Sequence, residues 1–340
     1  MIERYGKKYG NLKGIKQDFY TQNSALLEER KEAAEIYKRQ PLRAECKLCG
    51  KSLLSERREE FVSHDIGYRI CPNCGHLNGI YEDTYDFSKF IYCGQDYGKD
   101  YSEDDRESYV KRMETIYLPK VRFLKEVLPS KRYSVLDIGA GSGYFCGAAL
   151  SENMDIEGIE ISDAQVKYGN FMIGKDVLRH IKPEDMAEEL AQTNRSVVSA
   201  IGVLEHIYNL RQILSVIRNN RRIKYLYFSV PLFSLSVYLE MIFPEGFNRQ
   251  LGGGHTHLFT MESIEYMNRE FGFEAIAKWQ FGTDIMDLYR FMLLRLENQG
   301  DKVRQGFSTK FLSCADELQC ILDKADFCSE IHMLVEVRHE

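Results

Sequence analysis

The chain has 340 residues, 44% of them hydrophobic, which is the length and composition of one α/β domain with a smaller accessory unit. Its net charge of −6 excludes the global positive field that is typical of nucleic-acid-binding proteins. The chain has no run of about 18 apolar residues, and residues 1–8 lack the apolar core of a secretion signal. We therefore expect a cytoplasmic protein without a membrane partner. In that compartment its nine cysteines are expected to be metal ligands and free thiols rather than disulfides.

The first segment is polar and charged. Residues 24–39 have a helical composition with sparse apolar positions, and Pro41 ends this pattern. We therefore predict a helical N-terminal extension over residues 1–45.

Two Cys-x-x-Cys-Gly turns follow, and their spacing is that of a zinc ribbon. Four thiolates complete the tetrahedral coordination of Zn²⁺ and leave no position open for water, which predicts a structural rather than a catalytic metal. Two redox dithiols are the weaker interpretation, because no thioredoxin-like βαβ pattern surrounds the turns. The sequence thus predicts a zinc ribbon over residues 46–80 with the ligands Cys46, Cys49, Cys71 and Cys74.

Residues 81–130 are rich in tyrosine, and apolar side chains recur at helical spacing from Glu103 to Leu128. This pattern predicts a helical lead-in to the main domain, which we expect to span residues 131–340.

The most informative segment is Val135–Phe145. A short apolar strand pattern, interrupted by Asp137, breaks into glycines at 139, 141 and 143, and a helical pattern begins at Tyr144. A strand, a tight turn and a helix N-terminus present backbone N–H groups to a ligand at the edge of an α/β sheet. The dinucleotide fingerprint would need a glycine at position 144, and an acid before the turn repels a pyrophosphate but suits a cation. The segment resembles motif I of the class I S-adenosylmethionine (SAM) methyltransferases.

This resemblance covers residues 131–340 and implies SAM as cofactor and S-adenosylhomocysteine as product. In such enzymes an acid at the end of the second strand accepts hydrogen bonds from both ribose hydroxyls, and Glu160 ends the strand pattern of residues 155–161. An acid after the third strand often contacts adenine, and the backbone at the end of the fourth strand, residues 196–202, borders the methyl group. Lead-in tyrosines, Tyr97 and Tyr101, are candidates for contact with cofactor or substrate. The candidate cofactor-binding residues are Asp137, Gly139, Ala140, Gly141, Gly143, Glu160, Ile161, Asp185, Gly202 and Tyr101.

Further strand patterns occupy residues 225–231, 273–281 and 331–338, with helical patterns between them. We therefore expect an α/β fold with a Rossmann-like, seven-stranded methyltransferase sheet. The resemblance implies that the seventh strand runs antiparallel between the fifth and the sixth. Aromatic residues and three consecutive glycines mark an insertion at about residues 232–254, which we interpret as a hinged substrate lid.

The reaction centre is expected beside Leu204-Glu205-His206, which matches one form of the fourth motif of the family. Methyl transfer to a hydroxyl or an enolisable carbon requires removal of a proton, for which histidine is suited near neutral pH. The candidate catalytic residues are His206, His257, His255 and Glu205, with His206 or His257 favoured as the general base. Alternatively, Glu205 and the histidines bind a divalent metal, as in some O-methyltransferases with this motif.

A four-cysteine ribbon ahead of such a domain resembles the sugar C-methyltransferases of antibiotic and cell-surface sugar pathways. Those enzymes usually have a further C-terminal α/β lobe, whereas this chain ends at the seventh predicted strand, so we expect O- or N-methylation at least as readily as C-methylation. The expected acceptor is a small molecule, a sugar or a nucleotide-linked sugar. An RNA methyltransferase is the alternative, disfavoured by dispersed lysines and arginines, and a non-catalytic scaffold is disfavoured by the intact motifs.

Overall fold

The computed structural model describes residues 1–8, 18–53, 59–93, 105–129, 133–252 and 254–339. The strands in these ranges are β1 (Ile2–Tyr5), β2 (Phe61–Ser63), β3 (Ile66–Ile70), β4 (Leu77–Gly79), β5 (Ser134–Ile138), β6 (Asp155–Glu160), β7 (Leu178–His180), β8 (Val197–Ile201), β9 (Tyr225–Pro231), β10 (His257–Leu258), β11 (Phe273–Phe281) and β12 (Glu330–Val337). The α-helices are α1 (Asp18–Thr21), α2 (Asn23–Tyr37), α3 (Tyr85–Cys93), α4 (Arg106–Arg112), α5 (Leu118–Val127), α6 (Tyr144–Ser151), α7 (Asp163–Ile173), α8 (Met186–Gln192), α9 (Leu210–Asn219), α10 (Leu235–Ile242), α11 (Met261–Glu270), α12 (Asp284–Arg295), α13 (Asp301–Ser313) and α14 (Ala315–Lys324). None of these helices combines the length and the apolar character needed to cross a bilayer.

The larger sheet has eight strands in the order β1-β11-β12-β9-β8-β5-β6-β7. Strands β9, β8, β5, β6 and β7 run parallel, and β12 runs antiparallel between β9 and β11. The predicted Rossmann-like α/β class and the predicted place of the seventh strand are therefore confirmed. The chain leaves β5 toward β6 on one side and returns to β8 on the other, which opens a crevice at the carboxyl ends of β5 and β8.

The predicted helical N-terminal extension contains the helix α2 (Asn23–Tyr37), and the eighth strand is an addition that the prediction lacked. Ile2–Tyr5 pairs in parallel with Ala277–Gln280 at the edge of the sheet. The indole N–H of Trp279 donates to the carbonyl of Gly6 at 2.9 Å and fixes the chain beyond the strand. A strand of four residues, two of them charged, is too short a pattern to be recognised from sequence. Because β1 runs parallel to β11, it places residues 7 and 8 at the carboxyl edge of the parallel strands.

The smaller sheet joins the ribbon to the main domain. Strands β2, β3 and β4 are antiparallel, and β10, from far along the chain, pairs with β4. The ammonium of Lys47 donates to the carbonyl of Tyr208 at 2.6 Å, and the hydroxyl of Thr260 donates to the carbonyl of Gly75 at 3.1 Å. The predicted boundary at residue 80 therefore does not separate two independently packed units.

The insertion at residues 232–254, predicted as a hinged lid, is packed against neighbouring elements in its described part. Val237 and Leu251 are buried in one apolar cluster with side chains of α2, β3 and β4, and Phe247 is completely buried. The guanidinium of Arg249, which is partly buried, forms an ion pair with the buried Asp287 of α12 at 2.6 Å. The apolar residues of this segment are therefore shielded from water by the protein core, and they do not need a bound substrate to cover them.

The lead-in is one long helix interrupted by a π-helical turn. Helices α4 and α5 are joined by the turn Met113–Tyr117. On α5, Val121, Phe123 and Leu124 are completely buried against one face of the large sheet. Single π-helical turns are frequent at functional sites, and the packing of α5 holds this one beside the crevice.

Candidate cofactor site and reaction centre

Two adjoining cavities open at the carboxyl ends of β5 and β8. The first has a volume of about 360 Å³ and the second a volume of about 120 Å³. Gly139, Gly202 and His206 line both cavities, so the cavities meet at these three residues. In doubly wound sheets this crevice is where ligands bind.

The turn between β5 and α6 has a backbone that glycine adopts readily. Gly139, Gly141 and Gly143 have φ angles of 61°, 54° and 73°, in the left-handed region that other residues avoid. A Cβ at Gly139 would lie 2.8 Å from Cγ2 of Val203. Gly139 and Gly141 therefore present backbone without a Cβ to the first cavity, which Ala140 also lines, whereas Gly143 is the N-cap of α6 and is not among the described lining residues.

Asp137, at the end of β5, is buried in the wall of the first cavity. One carboxylate oxygen accepts a hydrogen bond from the hydroxyl of Ser199 at 2.6 Å, and the other lies 3.7 Å from the sulfur of Cys146. Burial raises the pKa of Asp137 to about 7, and the neighbouring charge of Glu160 acts in the same direction. Burial therefore disfavours the ionised form of this carboxyl, and a cation that enters the cavity would stabilise that form.

Glu160, at the end of β6, lines the second cavity. One carboxylate oxygen accepts from the backbone N–H groups of Ile161 and Ser162, at 2.8 Å and 2.9 Å, and the other accepts from Gly141 at 2.8 Å. Burial raises its pKa, and these amide bonds oppose the effect. Because a carboxylate has about four acceptor positions, one hydroxyl can be added directly, and a second must share a position with an amide.

The remainder of the second cavity is a largely apolar slot. Ile161, Pro183 and Met186 contribute to its wall, which is suited to a flat aromatic base. Asp185 ends the short 3₁₀ turn that begins at Pro183, and it is not among the described residues that line either cavity. Pro183 and Met186, the residue after Asp185, therefore line the cavity where Asp185 was predicted to contact the cofactor.

His206 lies where the cavities meet, and two carbonyl groups set the tautomers of the local imidazoles. Nδ1 of His206 lies 3.0 Å from the carbonyl oxygen of Gly254, and Nδ1 of His255 lies 2.9 Å from that of Gln250. A carbonyl only accepts, so each Nδ1 carries the proton and each Nε2 has the lone pair. The two rings lie 5.0 Å apart between centroids.

Glu205 completes this group. Its side chain is buried, one oxygen lies 3.9 Å from Nε2 of His206, and the other has no hydrogen-bond partner among the described residues. Burial raises the pKa of Glu205 to about 8 and lowers the pKa of His206 to about 4. Ligand atoms of Glu205, His206 and His255 all lie within 4.8 Å of one another, so the group has the donor set and the spacing for a divalent cation.

His257 does not belong to this group, which corrects its prediction as a base. It lies in β10, is completely buried and hydrogen-bonds through Nδ1 to Nε2 of His76 at 2.9 Å. It is not among the described residues that line either cavity. Pairing of β10 with β4 directs this ring into the contact between ribbon and main domain.

Aromatic side chains of the lead-in pack on the helix after the glycine turn. The ring of Tyr144 stacks between Tyr109, at 4.4 Å, and Tyr117, at 5.3 Å, measured between centroids. The hydroxyl of Tyr109 donates to the carbonyl of Ser142 in the turn at 2.9 Å. The lead-in thus closes one side of the first cavity, while Tyr97 and Tyr101 lie outside the described residues.

Several lining residues were missed from the sequence, most of them because they reach the site from distant segments. In the first cavity they come from the end of β1, the lead-in helix, α7, the end of β11 and the start of β12. In the second they come from α3 and from the residues on either side of Leu204-Glu205-His206. They are Lys7, Lys8, Arg112, Thr115, Ile116, Tyr117, Lys120, Gln165, Phe281, Gly282, Thr283 and Glu330 in the first, and Tyr85, Ser88, Lys89, Val203, Ile207, Tyr208 and Asn209 in the second. For the lead-in residues, the π-helical turn indicates a functional site, but this turn can be recognised only in the structure. The sequence contains no comparable signal for the others.

The four ribbon cysteines are brought together as the sequence predicted. Their sulfur atoms lie within 4.8 Å of one another, with 3.6 Å between Cys46 and Cys74 and 3.5 Å between Cys49 and Cys71. A tetrahedral zinc with bonds of about 2.3 Å sets its sulfurs about 3.8 Å apart. The cluster therefore fits Zn²⁺, and complete burial of the thiols leaves no room for a catalytic water.

Comparison with known proteins gives one family and several structural neighbours. The family model described as a methyltransferase domain matches residues 109–278. No curated protein sequence matches the chain. Among solved structures, phosphoethanolamine N-methyltransferase 2 of Haemonchus contortus in complex with SAM is 17% identical, with a TM-score of 0.45, over 78% of this chain and 62% of that chain.

Two further structures are similarly distant. A SAM-dependent methyltransferase from Archaeoglobus fulgidus is 16% identical, with a TM-score of 0.41, over 68% of this chain and 100% of its own. Geranyl diphosphate C-methyltransferase from Streptomyces coelicolor A3(2) is 11% identical, with a TM-score of 0.41, over 69% of this chain and 85% of its own. The chain thus spans less than two thirds of the nematode enzyme and most or all of the other two.

Proposed function

We propose that the chain, which belongs to the family of methyltransferase domains, is a SAM-dependent enzyme that methylates a small sugar or nucleotide-linked sugar. The observation that carries this proposal is the pair of cavities that meet at His206, each with its own buried acid. Together they have the size of a site for a cofactor and one small acceptor.

The residues of the two cavities divide between the parts of the cofactor. Glu160, Ile161 and Met186 would hold adenosine in the second cavity, and Asp137 with the backbone of Gly139 would hold the ammonium end in the first. When bound, SAM supplies an activated methyl group on a sulfonium. The contribution of the protein is then chiefly to align the acceptor atom with that methyl and to exclude water.

We assign the proton of the acceptor to Nε2 of His206. Its Nδ1–H is held by the carbonyl of Gly254, so the ring enters the reaction in the correct tautomer. Burial keeps the ring neutral at pH 7, which makes it available as a base but a weak one. Proton transfer is therefore expected to accompany methyl transfer rather than to precede it.

A divalent metal held by Glu205, His206 and His255 is the alternative. It is favoured by the oxygen of Glu205 that has no hydrogen-bond partner within the described ranges. Such an ion would bind the acceptor oxygen and make its proton more acidic. The metal content of wild type and of Glu205→Gln, measured after dialysis, decides between the two. One divalent ion fewer per chain in the variant supports the metal, and equal content supports the histidine base.

An RNA acceptor is less well supported, because basic residues near the ribbon cysteines are used internally. The guanidinium of Arg43 pairs with Asp83 at 2.6 Å, Lys47 pairs with the same carboxylate, and both cations are buried. They do not contribute to an exposed basic surface of the kind that RNA requires.

The test is methyl transfer from labelled SAM to a panel of neutral sugars, nucleotide-linked sugars and RNA. We expect label in a sugar, loss of most turnover in His206→Ala with SAM affinity within about threefold of wild type, and normal turnover in His180→Ala. His180 is the matched control, because its exposed ring lines neither cavity. Label in RNA alone, or full turnover in His206→Ala, would contradict the proposal.

A further inference from the structure

The first cavity concentrates positive charge in a protein whose net charge is −6. Four cations line it, Lys7, Lys8, Arg112 and Lys120, against two acids among the described lining residues. One acid, Glu330, is paired with Lys120 at 3.0 Å. The other is Asp137, so the formal charges of the described lining residues sum to about +2 even with this carboxylate ionised.

The cations reach the cavity from separate parts of the chain that are themselves fixed. The ammonium of Lys7 lies 3.4 Å from the carbonyl oxygen of Ile116 and 5.1 Å from the ring centroid of Phe281. The guanidinium of Arg112 lies 5.4 Å from the ring centroid of Tyr144. The end of β1 and the lead-in helix therefore hold the charges of Lys7 and Arg112 at the cavity, and Lys8 adds an exposed charge beside them.

The cofactor does not neutralise this field. SAM carries an ammonium, a sulfonium and one carboxylate, a net charge of +1, so its binding leaves the cavity at about +3 by the same count. A neutral sugar provides no countercharge, whereas a phosphate group brings about −1.5 to −2. Lysine ammoniums act as point charges for phosphate, and an arginine adds a planar fork of donors.

We infer that the acceptor carries a phosphate or diphosphate group, which Lys7, Lys8 and Arg112 bind while the reacting atom lies toward His206. This inference rests on the proposed function and narrows its acceptor to the nucleotide-linked or phosphorylated form. Lys7 and Lys8 are specificity-determining residues in this account, because they select the acceptor and leave the cofactor to Asp137 and Glu160.

The test uses the full chain saturated with S-adenosylhomocysteine and measures binding by calorimetry. The probes are uridine diphosphate, inorganic pyrophosphate, uridine and glucuronate. We expect the two phosphate probes to bind, uridine to bind much more weakly, and the affinity for the phosphates to fall as salt is raised. In the double variant Lys7→Glu/Lys8→Glu, the phosphate affinity should fall roughly tenfold or more, with the affinity for S-adenosylhomocysteine changed less than threefold.

Lys175→Glu is the matched control, because this lysine is exposed and lines neither cavity. An equal loss in the control would show a general charge effect and overturn the inference. So would equal binding of uridine and uridine diphosphate, or binding of glucuronate alone, which would identify a carboxylate acceptor. If S-adenosylhomocysteine binds and the phosphates do not, the proposed function survives and only this inference fails; if the cofactor product itself does not bind, both fail.

Discussion

Asp137 allows a test in which stability and cofactor binding move in opposite directions. Its carboxyl is buried, its hydrogen-bond partners are a neutral hydroxyl and a thiol, and its pKa is raised from 3.8 to about 7. A shift of about 3 units corresponds to about 4 kcal/mol at 1.36 kcal/mol per unit. Asparagine has the same shape and no charge, so Asp137→Asn removes this cost.

The sign of the pH dependence follows from linkage. Below pH 4 both the folded and the unfolded state hold the proton, and the carboxyl has no effect on stability. Between pH 4 and 7 the unfolded state releases its proton while the folded state retains it, so the free energy of unfolding of wild type falls as pH rises. We expect Asp137→Asn to raise that free energy by about 2–4 kcal/mol at pH 8 and to change it little at pH 4.

The same substitution should weaken binding of S-adenosylhomocysteine. A hydrogen bond to a charged group contributes about 1.5–3 kcal/mol, so the dissociation constant should rise roughly 10- to 100-fold. Urea unfolding at the two pH values and calorimetry at pH 8 measure the two effects, with Asp176→Asn, an exposed acid, as control. A variant that is less stable than wild type at pH 8, or that binds the ligand with unchanged affinity, would refute the reasoning.

Two further predictions concern the glycine turn and the metal. Gly139→Ala places a Cβ at a positive φ and against Val203, so we expect the free energy of unfolding to fall by about 1–3 kcal/mol. Cofactor binding, measured by calorimetry, should weaken at least tenfold, and unchanged binding would contradict this view of the turn. Elemental analysis should find one zinc per chain in wild type and none in Cys71→Ser. This variant should also have a lower melting temperature, and it should bind the cofactor more weakly because the ribbon supports Tyr208 in the cavity wall. The exposed Cys314 provides the control, since Cys314→Ser should retain both properties, and zinc in Cys71→Ser would count against the ribbon.

The parts of the fold that the sequence predicted are those with strong local signals. The glycine turn follows β5 and precedes α6, and Glu160 ends β6, because alternating glycines and short apolar runs leave the backbone few alternatives. The paired cysteine turns likewise come together because each turn places two thiols on one side.

The parts that were missed depend on contacts between distant residues. Strand β1 is recognisable only from its pairing with Ala277–Gln280, far along the chain. His255 and His257 are equivalent in sequence, and only the pairing of β10 with the ribbon buries one ring and leaves the other beside His206. A hydrophobic insertion is compatible with a lid and with a core, and its sequence does not contain the contact of Arg249 with α12 that packs it against the main domain.

The mixed origin of the smaller sheet has a consequence for biosynthesis. The edge of β4 pairs through Asn78 with His257 and through Leu77 with Leu258, so the ribosome must add about 180 residues before this edge finds its partner. At about 5–20 residues per second, the interval is roughly 10 to 40 seconds. A nascent chain whose four cysteines already bind zinc therefore still has an unpaired edge at β4. The time during which this edge can pair with a non-native strand depends on the elongation rate rather than on the zinc supply.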